Sequence, residues 1–251
     1  MAELVSSDGL GIDVRLFRPD GNGNRPGAVL CPSFPASAAA AAAEIEYLSN
    51  LAADIARELG WMTLRVAYRG EPGSEGDFSP RGWFDDIHAA ARHLGEQPGV
   101  TGVWLIGFGT GGALAICVAA HDPDVRGVAV GSAPADFDDW ASNPRRLVVH
   151  ARELGLIRSP TFPESMDEFA RPLRQLKAVD CAEELAPRPL LVMHGSDDEV
   201  VPVFDARVIA DAHGSAELRI LEGGRHQLSY DPRSIAVLYG WLDRQRHTSP
   251  A

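Results

Sequence analysis

Hydrophobic and polar positions alternate along the first twenty residues, in ELVSS and IDVRLFRP, on either side of an Asp8-Gly9 turn signal. Such alternation marks half-buried strands, so the segment predicts a β-hairpin. GNGNRPG (21–27) then reads as a polar loop. AVLCPS is a short β-rich run, and the Ala-rich stretch running into EIEYLSNLAADIARELG has apolar residues at helical spacing up to Gly60. MTLRVAY, GVWLIGF and RGVAVGSA follow as strands, with WFDDIHAAARHLGE and GGALAICVAAH as the helices between them. Strands alternating with helices predict a mostly parallel central sheet covered on both faces.

The alternation lapses between Ala133 and Pro187, where Asp136, Asp138 and Asp139 surround Phe137 and Trp140 and amphipathic helical stretches run without a strand. It then resumes with the strand PLLVMHG, a helix around VFDARVIADAH, the strand AELRILEG and the helix SIAVLYGWLDRQ. Strands on both sides are needed to complete one core. The expected organisation is therefore a single α/β domain over 1–251, with 134–187 as a helical insertion. The tail HTSPA is expected to fray.

Composition narrows the function. Hydrophobic residues make up 45% and charged residues 23% of 251 positions, an ordinary globular balance. The formal charge of −12 opposes association with polyanions, so no nucleic-acid partner is expected. The opening residues lack a basic and apolar leader pattern, and no apolar stretch is long enough to span a bilayer, which leads to the expectation of a cytoplasmic protein without membrane contact. Cys31, Cys117 and Cys181 are odd in number and widely spaced, as in reduced thiols, and none has zinc-ligand spacing. No metal or cofactor is expected.

Three motifs carry chemistry. Gly107-Phe108-Gly109-Thr110-Gly111-Gly112 joins a strand to a helix, as a G-x-S-x-G nucleophile elbow does. His194-Gly195-Ser196-Asp197-Asp198-Glu199-Val200-Val201-Pro202 has the form H-G-x-x-D-x-x-V-P, and Gly223-Gly224-Arg225-His226 follows the final strand. In this order the chain resembles the α/β-hydrolase superfamily, in its esterase and serine-aminopeptidase-like branch, over nearly its whole length. Tyr68 to Asp77 is similar to that branch's R-G-x-G-x-S-x-G loop, with Ala67 where an Asp is usual. The resemblance implies an α/β-hydrolase fold with a small helical lid at 134–187, Asp198 and His226 as acid and base, and Gly109 at the serine position. It also places the oxyanion region at Cys31-Pro32-Ser33-Phe34-Pro35, where Pro32 and Pro35 lack an N–H. Ser33, Phe34 and Ala36 offer the first donor, with Phe34 preferred, and Thr110 the second.

Glycine has no nucleophilic atom, so ordinary serine-hydrolase activity is expected to be absent or weak. Thr110, Ser33 and Cys31 are the nearby substitutes, but the sequence does not aim their side chains. A His226–Asp198 dyad can still serve as a general base toward water or a substrate proton. The expectation is a protein acting on or binding a small carbonyl compound (ester, lactone, thioester or amide). The alternative is an inactive pseudohydrolase that binds or scaffolds.

Plainer readings accompany these. Gly107 to Gly112 also fits the dinucleotide fingerprint G-x-G-x-x-G, though it follows the fifth strand and no acidic residue ends the next one. His226 alone would read as structural, and Asp198 as a turn former. Cys117 reads as a core residue, and Arg145-Arg146 as a solvated face. Phe137, Trp140, Phe162 and Phe169 either pack the insertion onto the body or line an apolar pocket.

Overall fold

The computed structural model describes residues 2–6, 8–21 and 23–248. Its eight strands, in chain order, are β1 (Ala2–Val5), β2 (Gly11–Phe17), β3 (Arg25–Cys31), β4 (Met62–Val66), β5 (Val100–Phe108), β6 (Val125–Gly131), β7 (Leu190–Gly195) and β8 (Glu217–Leu221). They form one sheet in the order β1-β2-β4-β3-β5-β6-β7-β8. β1 and β2 pair antiparallel as the expected hairpin, β2 pairs antiparallel with β4, and every later pairing is parallel. β3 begins at Arg25, inside the segment expected to be loop, because it extends alongside β5 as far as Val100.

Period-two patterning sends alternate residues of the inner strands into two cores. Ala28 and Leu30, Trp104 and Ile106, and Leu191 and Met193 pack on one face with α1 (Ala38–Leu59) and α9 (Pro232–Thr248). Val29 and Cys31, Val103 and Leu105, and Val128 and Val130 face the other. That side is covered by α2 (Pro80–Gly95), α3 (Gly109–His121), α7 (Ala178–Leu185) and α8 (Val203–His213). α3 is buried from Gly109 to Ala119, which accounts for its uniformly apolar sequence. Local chemistry sets the helix ends. Ser37 caps α1 and Gly60 closes it in a left-handed conformation, while the Ser79-Pro80 pair starts α2 three residues before the apolar pattern does.

The segment 134–187 is helical throughout its regular parts: α4 (Asp138–Ser142), α5 (Pro144–Glu153), α6 (Met166–Gln175) and α7. The four helices do not act alike. α4, α5 and α6 pack on one another, whereas α7 lies against α3 and α8 in the layer covering the sheet. The three cysteines are free and buried, with Cys117 on α3 and Cys181 on α7. Of the tail expected to fray, His247 and Thr248 belong to α9, and 249–251 lie outside the described residues. Among the described residues no helix is long and apolar enough to cross a membrane.

The Tyr68–Asp77 loop is tied down by one buried cation. Arg69 donates to Asp86 from its backbone N–H (2.8 Å) and from its guanidinium Nη2 (2.8 Å), and to Asp8 at 2.6 Å. Trp83 Nε1 donates to the Arg69 carbonyl at 3.0 Å. Asp86→Ala removes the fully buried carboxylate and leaves Arg69 with the half-exposed Asp8 as its remaining partner, so stability is expected to fall by about 2–3 kcal/mol. Urea denaturation checks this, and a loss below about 1 kcal/mol would show the network to be dispensable.

Candidate active site

Loops at the carboxyl ends of the parallel strands bring the motifs together. The turn after β7 carries Asp198 and the turn after β8 carries His226, whose Nδ1 lies 2.9 Å from Asp198 Oδ2 and 3.1 Å from Oδ1. A carboxylate only accepts, so Nδ1 carries the hydrogen and Nε2 is left as the acceptor of the neutral ring. Asp197 takes a hydrogen bond from Ser196 instead and does not reach His226.

The Asp198 side chain is fully buried. Burial opposes its charge, but hydrogen bonds from His194, His226 and the N–H groups of Val201 and Val200 outweigh burial and hold its carboxyl far below the usual carboxylate range. His194, which opens the same turn, is a further partner of this carboxylate. Its Nε2 lies 3.2 Å from Asp198 Oδ2 and 3.0 Å from the Val201 carbonyl; both are acceptors, so that nitrogen carries the hydrogen. The legible signal was the spacing of His194 and Asp198 at either end of one tight turn.

Gly109 opens α3 directly after β5, with φ +50° at a sharp strand-to-helix turn. The loop after β3 descends onto this turn. A Cβ on Gly111 would stand 2.0 Å from the Pro32 carbonyl oxygen, and one on Gly109 would stand 2.1 Å from Ser33 Oγ and 3.8 Å from His226 Nε2. Hence the glycines of the G-x-G-x-x-G run are accounted for by protein packing. The Pro32–Ser33 segment lies against this turn, so the run's glycines do not by themselves point to a dinucleotide.

The other anticipated residues are dispersed around this contact. The Ser33 N–H donates to Glu44 Oε1 at 3.0 Å and is already engaged as a backbone donor. Phe34 packs its ring against Phe78 (5.2 Å between centroids) and Trp140 (5.1 Å). Thr110 is buried on the wall of a cavity of about 320 Å³, which Phe34, Phe137, Trp140 and His150 also line. Phe169 packs on Phe78 and Phe162 away from this cavity, so the insertion's aromatics divide between lining and packing. Cys31 lies beneath the site, and burial pushes its thiol up to about 12.

Glu44 is the residue that sequence reasoning missed. It lines a second cavity of about 290 Å³ together with Ser33, Gly109, His226 and Tyr230. Burial raises its carboxyl to about 7, partly offset by the Ser33 N–H and by His226. A signal was present: Ala41, Leu48, Leu51 and Ile55 form the buried stripe of α1, and Glu44 falls on that stripe.

No protein-family model matches the sequence. Solved structures do resemble it over nearly the full length. DcsB, in complex with a substrate analogue, superposes with a TM-score of 0.75 at 16% identity, covering 99% of both chains. The α/β hydrolase GrgF from Penicillium sp. sh18 gives 0.74 at 20% identity, covering 98% of this chain and 97% of the other. Est1E from Butyrivibrio proteoclasticus with bound ferulic acid gives 0.69 at 19% identity, covering 99% of both. The chain has the α/β-hydrolase fold.

Glu44 links this site to pH. A carboxyl raised from an ordinary unfolded value to about 7 binds more protons in the folded state between those values, so its contribution to stability falls as pH rises through that window. Glu44→Gln mimics the protonated form. Its melting temperature relative to the native protein is expected to rise between pH 5 and pH 8, and a constant difference would contradict the assignment.

Proposed function

We propose that this protein acts on a small carbonyl compound (an ester, lactone, thioester or amide), with His226 as general base and acid and Asp198 as its orienting partner. The observation carrying this reading is the Nδ1 contact of 2.9 Å to a carboxylate held ionised in a buried setting. It leaves Nε2 facing the Gly109 turn, 3.8 Å from where a side chain would begin. Position 109 is the nucleophile position of the fold, and here it offers no hydroxyl. The base therefore takes its proton from another donor, and the developing imidazolium is stabilised by Asp198.

Phe34 and Thr110 supply the oxyanion donors through their backbone N–H groups. The α3 N-terminus has no carbonyl partners within the helix for its first N–H groups, which supports Thr110 in this role. The part of the insertion that carries α4, α5 and α6 acts as a lid, a role supported by the presence of Asp136, Phe137, Trp140 and His150 on the cavity wall. Aromatic faces there suit an apolar acyl group, and solved structures of the same fold include esterases.

The glycine at position 109 favours a second reading, that of a pseudohydrolase which binds without reacting. Turnover of p-nitrophenyl acetate and a short acyl thioester decides between them. The first reading expects measurable hydrolysis that His226→Ala lowers by about 10²–10⁴-fold in kcat/KM. Asp198→Asn, which offers the ring the wrong hydrogen-bonding partner, is expected to lower kcat by a comparable factor, up to about 10⁴. Unchanged turnover in His226→Ala would sink the proposal.

A further inference from the structure

We propose that Ser33 is the nucleophile of this site, delivered from the β3–α1 loop into the space that a side chain at position 109 would otherwise take. The proposal rests on the reading of His226–Asp198 as the general base, and it names the proton donor that reading requires.

Three substitutes were open in the sequence, and the fold separates them. Cys31 is wholly buried, and burial drives its thiol away from the reactive thiolate. Thr110 is buried at the second position of α3 and lines one of the two cavities that His226 lines. Ser33 lines both cavities, as Gly109 and His226 do. Its Oγ stands 2.1 Å from the point where a Gly109 Cβ would be, and His226 Nε2 stands 3.8 Å from that same point. The Oγ–Nε2 separation is thus no greater than these two distances together. Catalytic hydrogen bonds are commonly longer before substrate binds.

The loop is built to hold this serine in place. Pro32 and Pro35 restrict the backbone around it, Glu44 takes its N–H at 3.0 Å, and the Pro32 carbonyl rests against Gly111. No hydrogen bond to a described residue engages the Ser33 hydroxyl. In this rotamer the Ser33 hydroxyl occupies space that a side chain at 109 would otherwise take.

The chemistry balances without a further reagent. His226 Nε2 takes the Ser33 Oγ proton as Oγ bonds to the acyl carbon. The bond to the leaving alcohol or thiol then breaks, and that group departs with the proton from His226, leaving an ester on Ser33. Water attacks this ester, His226 takes its proton and returns it to Ser33 Oγ, and the acid is released.

The test exposes the native protein to a fluorophosphonate, locates the label by peptide mass mapping, and measures p-nitrophenyl acetate turnover in parallel. The expected label is on Ser33 and is absent in Ser33→Ala and in His226→Ala. Turnover is expected to fall about 10³-fold or more in Ser33→Ala. Ser33→Cys controls for misfolding: it keeps a nucleophile in place and is expected to accumulate an acyl-enzyme by intact mass, which Ser33→Ala does not. A native protein unlabelled at Ser33, or full turnover in Ser33→Ala, overturns the proposal. If Ser33→Ala stays active while His226→Ala does not, the dyad reading survives and the Ser33 assignment falls. If both stay active, both fall.

Discussion

The approach of the Pro32–Ser33 backbone to the first turn of α3 is the contact on which the site depends. It sets the Pro32 carbonyl oxygen 2.0 Å from where a Gly111 side chain would start and Ser33 Oγ 2.1 Å from where one on Gly109 would start. A side chain at 111 would meet backbone that cannot move aside, whereas one at 109 would require the Ser33 hydroxyl to turn away. The helix can then begin directly under the loop, and Ser33 and His226 line the same cavity around the turn. A motif that resembles a phosphate cradle in one dimension is, in three, the bed on which another loop lies.

Electrostatics complete the arrangement from the opposite side. The Asp198 side chain is fully buried yet held ionised, because four donors converge on it from His194, His226 and two backbone N–H groups. That convergence fixes the His226 ring and its hydrogen at Nδ1. Glu44 is the counterpart on α1, a carboxyl raised by burial to about 7, and it spends one oxygen on the Ser33 N–H. The two acids therefore play different parts. One stays charged and holds the His226 ring, while the other accepts the Ser33 N–H.

Much of the fold was legible because period-two and helical patterning persist wherever an element has one face to bury. Inner strands such as AVLC and LLVM read correctly for that reason, and so did the hairpin around Gly9. Where elements have no such contrast, the boundaries moved. β3 starts within GNGNRPG because pairing with β5 supplies its hydrogen bonds, and α2 begins at a cap that the apolar pattern does not include. α7 was grouped with the insertion because helical periodicity states that a face is buried and not what buries it; the partners are α3 and α8.

The linear chain by itself determined the α/β alternation, the glycine at 109, and the spacing that sets Asp198 and His226 at the ends of neighbouring strands. These follow from local patterning and from chain order, which a sequence records directly. Only the tertiary structure decided that Ser33, Gly109 and His226 line the same two cavities while Cys31 lies in the core, that Glu44 lines one of them from a helix some sixty-five positions before Gly109, and that His194 is a second donor to Asp198. A side chain's aim depends on backbone turns and on what packs above it. Those contacts run between segments far apart in sequence, where periodicity carries no information.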